Sequence, residues 1–81
     1  MTLPVRLEYL ALLREQRGLS AETVETGAST ARDLYLELVS AHGFTLAVER
    51  VRVAINNEFA PWDRPLAAND TIVFIPPVAG G

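Results

Sequence analysis

Residues 71–81 read TIVFIPPVAGG, and this stretch joins a strand signal to an ending of two prolines and two glycines. The four apolar residues after the opening threonine predict a strand near the centre of a sheet. Pro76 and Pro77 lack a backbone N–H and so end that strand. We therefore predict a folded domain over residues 1–75 and an extended, flexible C-terminal tail over residues 76–81.

A second apolar strand is predicted near the start of the chain, in residues 2–10, which read TLPVRLEYL. Val5, Leu7 and Tyr9 alternate with charged residues, which is typical of a strand with one buried face. We expect this first strand and the last strand to be neighbours at the centre of the sheet. They must then run parallel, because a helix between them supplies the crossover that parallel neighbours require.

The helix of that crossover is predicted in residues 29–43, which read STARDLYLELVSAHG. Thr30 at the N-cap and Asp33 three residues later form a start that resembles a capping box, and Gly43 marks the end. The apolar residues of this helix share one stripe, which consists of Ala31, Leu34, Tyr35, Leu38 and Val39. This is the main helix of the domain.

Shorter elements complete the pattern. The segment ALLREQRG predicts a short helix that Gly18 ends. The segments SAETVET and RVRVAINN predict two further strands, and we expect a brief strand at Phe59. The fold class that follows is α+β, namely a β-grasp (ubiquitin-like) arrangement in which one mixed sheet packs on one main helix.

Composition excludes several classes of function. The chain has 81 residues, of which 49% are apolar and 21% charged, as expected for one globular domain. It has no cysteine and one histidine, His42, which excludes disulfides and thiolate or multi-histidine metal sites. Its arginines are scattered and its net charge is −3, which argues against a nucleic-acid partner.

The same composition bears on location. No uncharged apolar run approaches the roughly 20 residues that a membrane span needs, so we expect no membrane partner. The chain does not open with the basic and apolar regions of a signal peptide. We therefore expect a cytoplasmic protein.

Three segments carry a resemblance to a known family: YLALLREQRG, TARDLYLEL, and VAINNEFAPWDRPLAANDTIVFIPPVAGG. The most specific feature is the order of the last segment, in which a turn, an apolar strand, Pro-Pro, two residues and Gly-Gly follow one another. On these residues the chain resembles the ubiquitin-like sulfur carriers, and specifically the family of molybdopterin synthase small subunits.

The resemblance implies an activity. In this family an E1-like adenylyltransferase spends ATP to activate the C-terminal carboxylate, and a sulfurtransferase supplies the sulfur of the resulting thiocarboxylate. Gly81 would be the activated residue. The chain would then donate sulfur to a pterin precursor on the large subunit of molybdopterin synthase, which builds the dithiolene of molybdopterin. It would bind no cofactor and catalyse nothing alone, and the rest of the delivering tail would be Pro76, Pro77, Val78, Ala79 and Gly80.

Strand parity predicts where a partner would dock. We expect Ile72 and Phe74 to face the helix and Ile75 to face outward. Leu10 and Phe59 are expected to join Ile75 in an apolar patch beside the tail, which is what a docking surface requires. The alternative is that loops cover these residues and that they belong to the core.

The remaining polar and aromatic residues give weaker signals. Arg14 and Arg17 are expected on the exposed side of the short helix, where Arg14 is a candidate contact for an acidic partner and a solvated face is the alternative explanation. Asp63 and Asp70 are expected to form turns on a solvated surface. Trp62 is expected to pack beneath its proline-rich loop.

Three other functions are compatible with the sequence: a sulfur carrier for thiamine thiazole synthesis, a protein modifier joined to lysines of its targets, and a β-grasp interaction module with an inert tail. The Pro-Pro pair and the length argue against the thiamine carriers, which are shorter. All seven basic residues are arginine, so no lysine amine of the chain can attack its own activated terminus. This favours a carrier over a chain-forming modifier.

Overall fold

The computed structural model describes residues 1–78, which form one five-stranded sheet, two α-helices and a short 3-10 helix. The strands are β1 (Leu3–Tyr9), β2 (Ala21–Thr26), β3 (Arg52–Ile55), β4 (Glu58–Ala60) and β5 (Thr71–Ile75). The α-helices are α1 (Ala11–Arg17) and α2 (Ala31–His42), and the 3-10 helix is Val48–Arg50.

The strands follow the order β2-β1-β5-β3-β4 across the sheet. β1 and β5 are parallel, with Leu7 opposite Ile72 and Tyr9 opposite Phe74. All other neighbouring strands are antiparallel. The first and last strands of the domain are therefore its central parallel pair, and the predicted β-grasp arrangement is confirmed.

The inner face of the sheet packs against α2. The inner residues of the central pair are at most 1% exposed, and they are Val5, Leu7, Tyr9, Ile72 and Phe74. The α2 stripe supplies the opposite side of the core with Ala31, Leu34, Tyr35 and Leu38, while Val39 is half-buried against the same cluster. The predicted strand parity and helix stripe are thus confirmed.

Phe74 lies inside an aromatic cluster that joins the sheet, α2 and the loop after β4. Its ring centroid is 5.3 Å from that of Tyr35 and 6.3 Å from those of Tyr9 and Trp62. Trp62 is half-buried, and its indole N–H donates to the carbonyl oxygen of Val51 at 3.1 Å. The predicted packing role of Trp62 is therefore confirmed.

Both ends of α2 have the caps that the sequence predicts. The Thr30 hydroxyl accepts a hydrogen bond from the backbone N–H of Asp33 at 3.2 Å. At the other end Gly43 adopts φ 72°, a left-handed conformation that glycine enters without steric cost, and its N–H donates to Val39 O. These caps fix the helix that crosses from one central strand to the other.

Asp70 corrects one expectation. It forms a turn as predicted, since its carboxylate accepts from the N–H of Ala67 at 2.8 Å, but it is only 5% exposed rather than solvated. The same carboxylate accepts from Asn56 Nδ2 at 2.9 Å and from Arg64 Nη1 at 2.7 Å. Folding the loop before β5 back onto the β3–β4 turn encloses the carboxylate, and these bonds hold the start of β5 in place.

Core packing predicts a large effect of truncating Phe74. Replacing Phe74 with alanine leaves a cavity among three other aromatic rings, and we expect it to lower the free energy of unfolding by about 3–5 kcal/mol. Val73→Ala is the matched control, because Val73 is half-buried on the opposite face of β5, and its cost should stay below about 1.5 kcal/mol. Urea unfolding measures both. Equal losses would mean that the two faces of β5 are wrongly assigned.

The Asp70 cluster predicts an acid-sensitive contribution to stability. Burial disfavours the charged carboxylate, but the hydrogen bonds from Ala67, Asn56 and Arg64 outweigh it and lower the pKa of Asp70. A lowered pKa means that this stabilisation is complete above the unfolded pKa of about 3.9 and is lost as pH falls through the folded pKa.

Asp70→Asn should therefore reduce the unfolding free energy by about 1–3 kcal/mol at neutral pH and by progressively less below about pH 4. Urea unfolding of both chains between neutral pH and about pH 3 measures the difference. If the difference in unfolding free energy between the parent and Asp70→Asn stays constant over this range, the lowered pKa of Asp70 is contradicted.

Candidate functional site

The outer face of the sheet carries an apolar strip across β5, β3 and β4. Directly opposite residues of antiparallel strands share a face, and Ala54 of β3 is opposite both Val73 and Phe59. Ala54 and Val73 are half-buried, whereas Phe59 is 63% exposed. Ile75, at the end of β5, is half-buried on the same face. The predicted outward direction of Ile75 and Phe59 is what the structure shows.

Where β5 ends, this strip borders a groove with a volume of about 510 Å³. We call it the tail-root groove, and within residues 1–78 its lining consists of Glu49, Arg50, Arg52, Phe59, Ile75, Pro76, Pro77 and Val78. The groove thus brings together two of the predicted docking residues with the first three residues of the tail. A molecule seated there would touch both the sheet and the point at which the tail leaves it.

The sequence analysis missed three residues of this groove, Glu49, Arg50 and Arg52, and the one that contacts Phe59 is Arg52. It is opposite Ile75 on β5, and its guanidinium carbon lies over the Phe59 ring, 4.3 Å from the centroid. Such a cation–π contact needs the register of β3 against both of its neighbours, which the sequence did not provide. The available signal was the alternation in RVRVAI, which places Arg52 on the outer side of the strand.

Leu10 and Arg14 lie elsewhere. Leu10 is 42% exposed and is the N-cap residue of α1, which follows β1 directly. Arg14 is exposed on α1. Among residues 1–78, the lining of the tail-root groove includes neither of them. Their roles in docking stay predictions.

Arg17 corrects the expectation of an exposed side chain. Its Nε and Nη2 atoms each donate to the Glu22 carboxylate at 2.8 Å, and its side chain is only 25% exposed. The Tyr9 hydroxyl donates to the same carboxylate at 2.7 Å. The Arg17 hydrogen bonds, helped by that of Tyr9, lower the pKa of Glu22 despite its partial burial. Arg17 therefore ties α1 to β2.

The root of the tail extends from the sheet into solvent. Pro76 is half-buried, Pro77 is exposed and Val78 is 78% exposed. Ala79, Gly80 and Gly81, on which the predicted activation and delivery depend, lie outside the described residues. β5 ends at Ile75, and the division into a domain over residues 1–75 and a tail over residues 76–81 stays a prediction.

The described part of the chain has neither a metal-binding cluster nor a membrane-spanning helix. Residues 1–78 contain no group of three or more His, Asp or Glu side chains arranged to hold a metal ion. The helices within this range are also too short and too polar to cross a membrane.

A protein-family model described as the ThiS family matches residues 7–81. This range includes α2, β5 and the tail, together with the last three residues of β1. The chain belongs to the ThiS family.

Solved structures agree with the family assignment. This ThiS-family chain is 28% identical to SAMP1 from Haloferax volcanii, with a TM-score of 0.78, covering 96% of this chain and 99% of that one. It is 27% identical to a Pyrococcus furiosus protein assigned as subunit 1 of a molybdopterin converting factor, with a TM-score of 0.76 and coverages of 94% and 99%.

A third structure supports the fold alone. It is a chain in the complex of subunits 1 and 2 of the molybdopterin-converting factor from Helicobacter pylori, 22% identical, with a TM-score of 0.65 and coverages of 98% and 100%. Together these structures give the ThiS-family chain the fold of a ubiquitin-like sulfur carrier.

The exposure of Phe59 predicts that this residue matters little for folding. Phe59→Ser removes the stack with Arg52 but no core contact, so we expect a loss of at most about 1 kcal/mol in the free energy of unfolding. Ile72→Ser, on the buried face of β5, is the control that should destabilise the domain strongly. Thermal melts compare the two variants. A Phe59→Ser chain that melts as early as Ile72→Ser would place Phe59 in the core.

Proposed function

We propose that this chain is the sulfur-carrying small subunit of molybdopterin synthase. The observation that carries the proposal is the sequence Pro-Pro-Val-Ala-Gly-Gly at the end of β5, in a ThiS-family chain whose tail leaves the sheet beside an exposed apolar strip. The role of a carrier needs a reactive terminus and a surface by which partners recognise the domain.

The proposed chemistry begins at the Gly81 carboxylate. On an E1-like adenylyltransferase, this carboxylate attacks the α-phosphate of ATP, and pyrophosphate leaves. A sulfur nucleophile at the oxidation level of sulfide, provided by a sulfurtransferase, then displaces AMP from the acyl adenylate and leaves a thiocarboxylate. The thiocarboxylate sulfur attacks a carbon of the pterin precursor on the large subunit and displaces an oxygen substituent from it. Water then cleaves the bond between the sulfur and the Gly81 carbonyl carbon, which leaves the sulfur on the pterin and frees the Gly81 carboxylate. Because activation consumes ATP, we place the carrier in the cytoplasm.

The composition of the tail suits its successive use by the adenylyltransferase, the sulfurtransferase and the large subunit. Gly80 and Gly81 have no side chains that would crowd the carbonyl carbon during adenylation and sulfur attack. The six residues from Pro76 to Gly81 span about 20 Å when fully extended, which is enough to reach a buried active site. Pro76 and Pro77 hold φ before binding and so reduce the entropy lost on docking.

The catalytic groups are assigned to the partner. The chain has no cysteine, and its one histidine, His42, is half-buried with its ring centroid 5.9 Å from that of Phe44. The Glu22 carboxylate is committed to Arg17 and Tyr9. The carrier therefore contributes its terminus, while acid–base catalysis and the pterin site belong to the large subunit. No resident cofactor is proposed for this chain.

Docking to the large subunit is assigned to the outer face. Phe59 and Ile75 provide the apolar contacts, and Leu10 and Arg14 extend the surface beyond the end of β1. Exposed aromatic residues next to a half-buried aliphatic residue are typical anchors of protein interfaces.

A second candidate function is protein modification. The observation that favours it is the 28% identity to SAMP1 of Haloferax volcanii, a protein also described as small archaeal modifier protein 1. A modifier would be joined through Gly81 to lysine amines of other proteins. Peptide mass spectrometry of lysines carrying the C-terminal residues of this chain separates this function from sulfur transfer.

The sulfur-carrier proposal predicts separate roles for the folded domain and the tail. A chain without Gly80 and Gly81 should keep the melting temperature of the parent, because neither residue adds to the core described within residues 1–78. In an assay reconstituted with the adenylyltransferase, ATP, sulfide, the large subunit and the pterin precursor, the shortened chain should form no dithiolene. The parent should gain the mass of one oxygen-to-sulfur exchange.

Gly27→Ala is the matched glycine control. A Cβ at Gly27 would lie 3.9 Å from the Met1 carbonyl oxygen, which is an ordinary contact, so this variant should gain sulfur as the parent does. Adding one residue after Gly81 should abolish the mass gain. Cofactor synthesis by the shortened chain would refute the proposal.

A further inference from the structure

The arginines of the chain divide into two groups. Four of the seven form ion pairs within the domain, namely Arg6 with Glu8, Arg17 with Glu22, Arg32 with Glu49 and Arg64 with Asp70. For Arg14, Arg50 and Arg52, no carboxylate of residues 1–78 lies within 4.0 Å of the guanidinium. Two of these three, Arg50 and Arg52, line the tail-root groove.

The charge of the groove is opposite to that of the whole chain. The chain has a net charge of −3, whereas the described lining of the groove contains two arginines and a single acidic residue, Glu49. That carboxylate is itself 3.8 Å from Arg32 of α2. The groove therefore presents more positive than negative charge.

Arg52 combines this charge with the apolar surface. It is opposite Ile75 in the pairing of β3 with β5, and its guanidinium lies over the Phe59 ring, so the charge lies within the apolar part of the groove. A guanidinium that stacks on an aromatic face keeps its N–H donors available in its own plane, where they can bind a carboxylate in a bidentate manner.

We infer that the tail-root groove docks a protein segment in which carboxylate side chains flank an apolar side chain, with Arg50 and Arg52 as the specificity-determining residues. The inference rests on the proposed function, in which the segment belongs to the large subunit. The apolar side chain packs on Phe59 and Ile75. The flanking carboxylates bind the two guanidinium groups, and a partner with basic side chains at these positions is excluded.

The lining favours a protein segment over a phosphate-rich ligand. Five of its eight described residues are apolar: Phe59, Ile75, Pro76, Pro77 and Val78. Nucleic acids and nucleotides gain their affinity from phosphate contacts. In the groove, phosphates could contact the two guanidinium groups, but the large apolar surface would stay exposed to solvent. An acidic protein segment with an apolar side chain contacts both the two guanidinium groups and the apolar surface.

The test compares charge variants in binding to the molybdopterin synthase large subunit by isothermal titration calorimetry. Arg50→Gln with Arg52→Gln removes two positive charges. Ser40→Glu with Ala41→Glu adds two negative charges at exposed positions near the end of α2 and so matches the change in net charge.

At low ionic strength we expect the double glutamine variant to bind about tenfold more weakly than the parent. The double glutamate control should stay within about twofold of the parent. Added salt should narrow the difference between the parent and the glutamine variant. The inference is overturned if the glutamine variant keeps the parent affinity, or if the control loses as much.

A second measurement separates this inference from the proposed function. A parent chain that does not bind the large subunit refutes the proposed function, and the groove is then tested with the synthetic peptide Asp-Leu-Phe-Glu and its Asn-Leu-Phe-Gln analogue, both with blocked termini. In amide NMR titrations, the acidic peptide should bind the parent at least about threefold tighter and should lose this preference in the glutamine variant. Equal binding of the two peptides to the parent overturns the inference.

If the tail-root groove binds something other than a partner segment, other measurements show it. A parent dimer in sedimentation that the Arg50→Gln, Arg52→Gln variant dissociates would assign the groove to a second copy of the chain. The side-chain NMR resonances of Arg50 and Arg52 can be compared in the parent and in a chain that lacks residues 79–81. A shift of these resonances would assign the groove to the chain's own terminus. Either result replaces the partner segment and overturns the inference.

Discussion

The parallel pairing of β1 with β5 is the constraint on which the rest of the structure depends. Parallel neighbours need a crossover, and α2 provides it while covering the inner face of the pair. Because β5 is central, it pairs with β1 as far as Phe74 and with β3 as far as its last residue, Ile75. The tail therefore starts from the most firmly held strand of the sheet, and the Asp70 cluster fixes the opposite end of that strand.

The inner face of β5 contributes to the stability of the core, and its outer face is available for contact with a partner. Ile72 and Phe74 are fully buried against α2, while Val73 and Ile75 are half-buried on the outer face. Successive residues of a strand point in opposite directions, so substitutions on the outer face leave the packing of the inner face against α2 unchanged. A small domain can thus specialise its outer face for a partner although it has only one core.

The sequence predicted those features that depend on local periodicity and turn chemistry. The alternation in β1 and β5 and the caps of α2 at Thr30 and Gly43 follow from patterns within single segments. The parallel pair follows from combining the two strands with the helix between them. Burial of Asp70 was missed because it depends on how the loop before β5 packs against Asn56 in the β3–β4 turn. The Arg17–Glu22 pair is close in the chain, but it was missed because it depends on how α1 packs against β2. For the same reason Phe59 and Ile75 were predicted for the candidate site, whereas the role of Arg52 required the registers of three strands.

Under the proposed function, docking and delivery are physically coupled. Pro76, Pro77 and Val78 belong to the lining of the tail-root groove, so a segment bound there also contacts the first residues of the tail. Ordering a free residue costs about 1–2 kcal/mol in backbone entropy, and the two prolines reduce that cost because their φ angles are set before binding. A partner that fills the groove therefore fixes the direction of the tail, and the same contacts that recognise the domain point its terminus toward the active site.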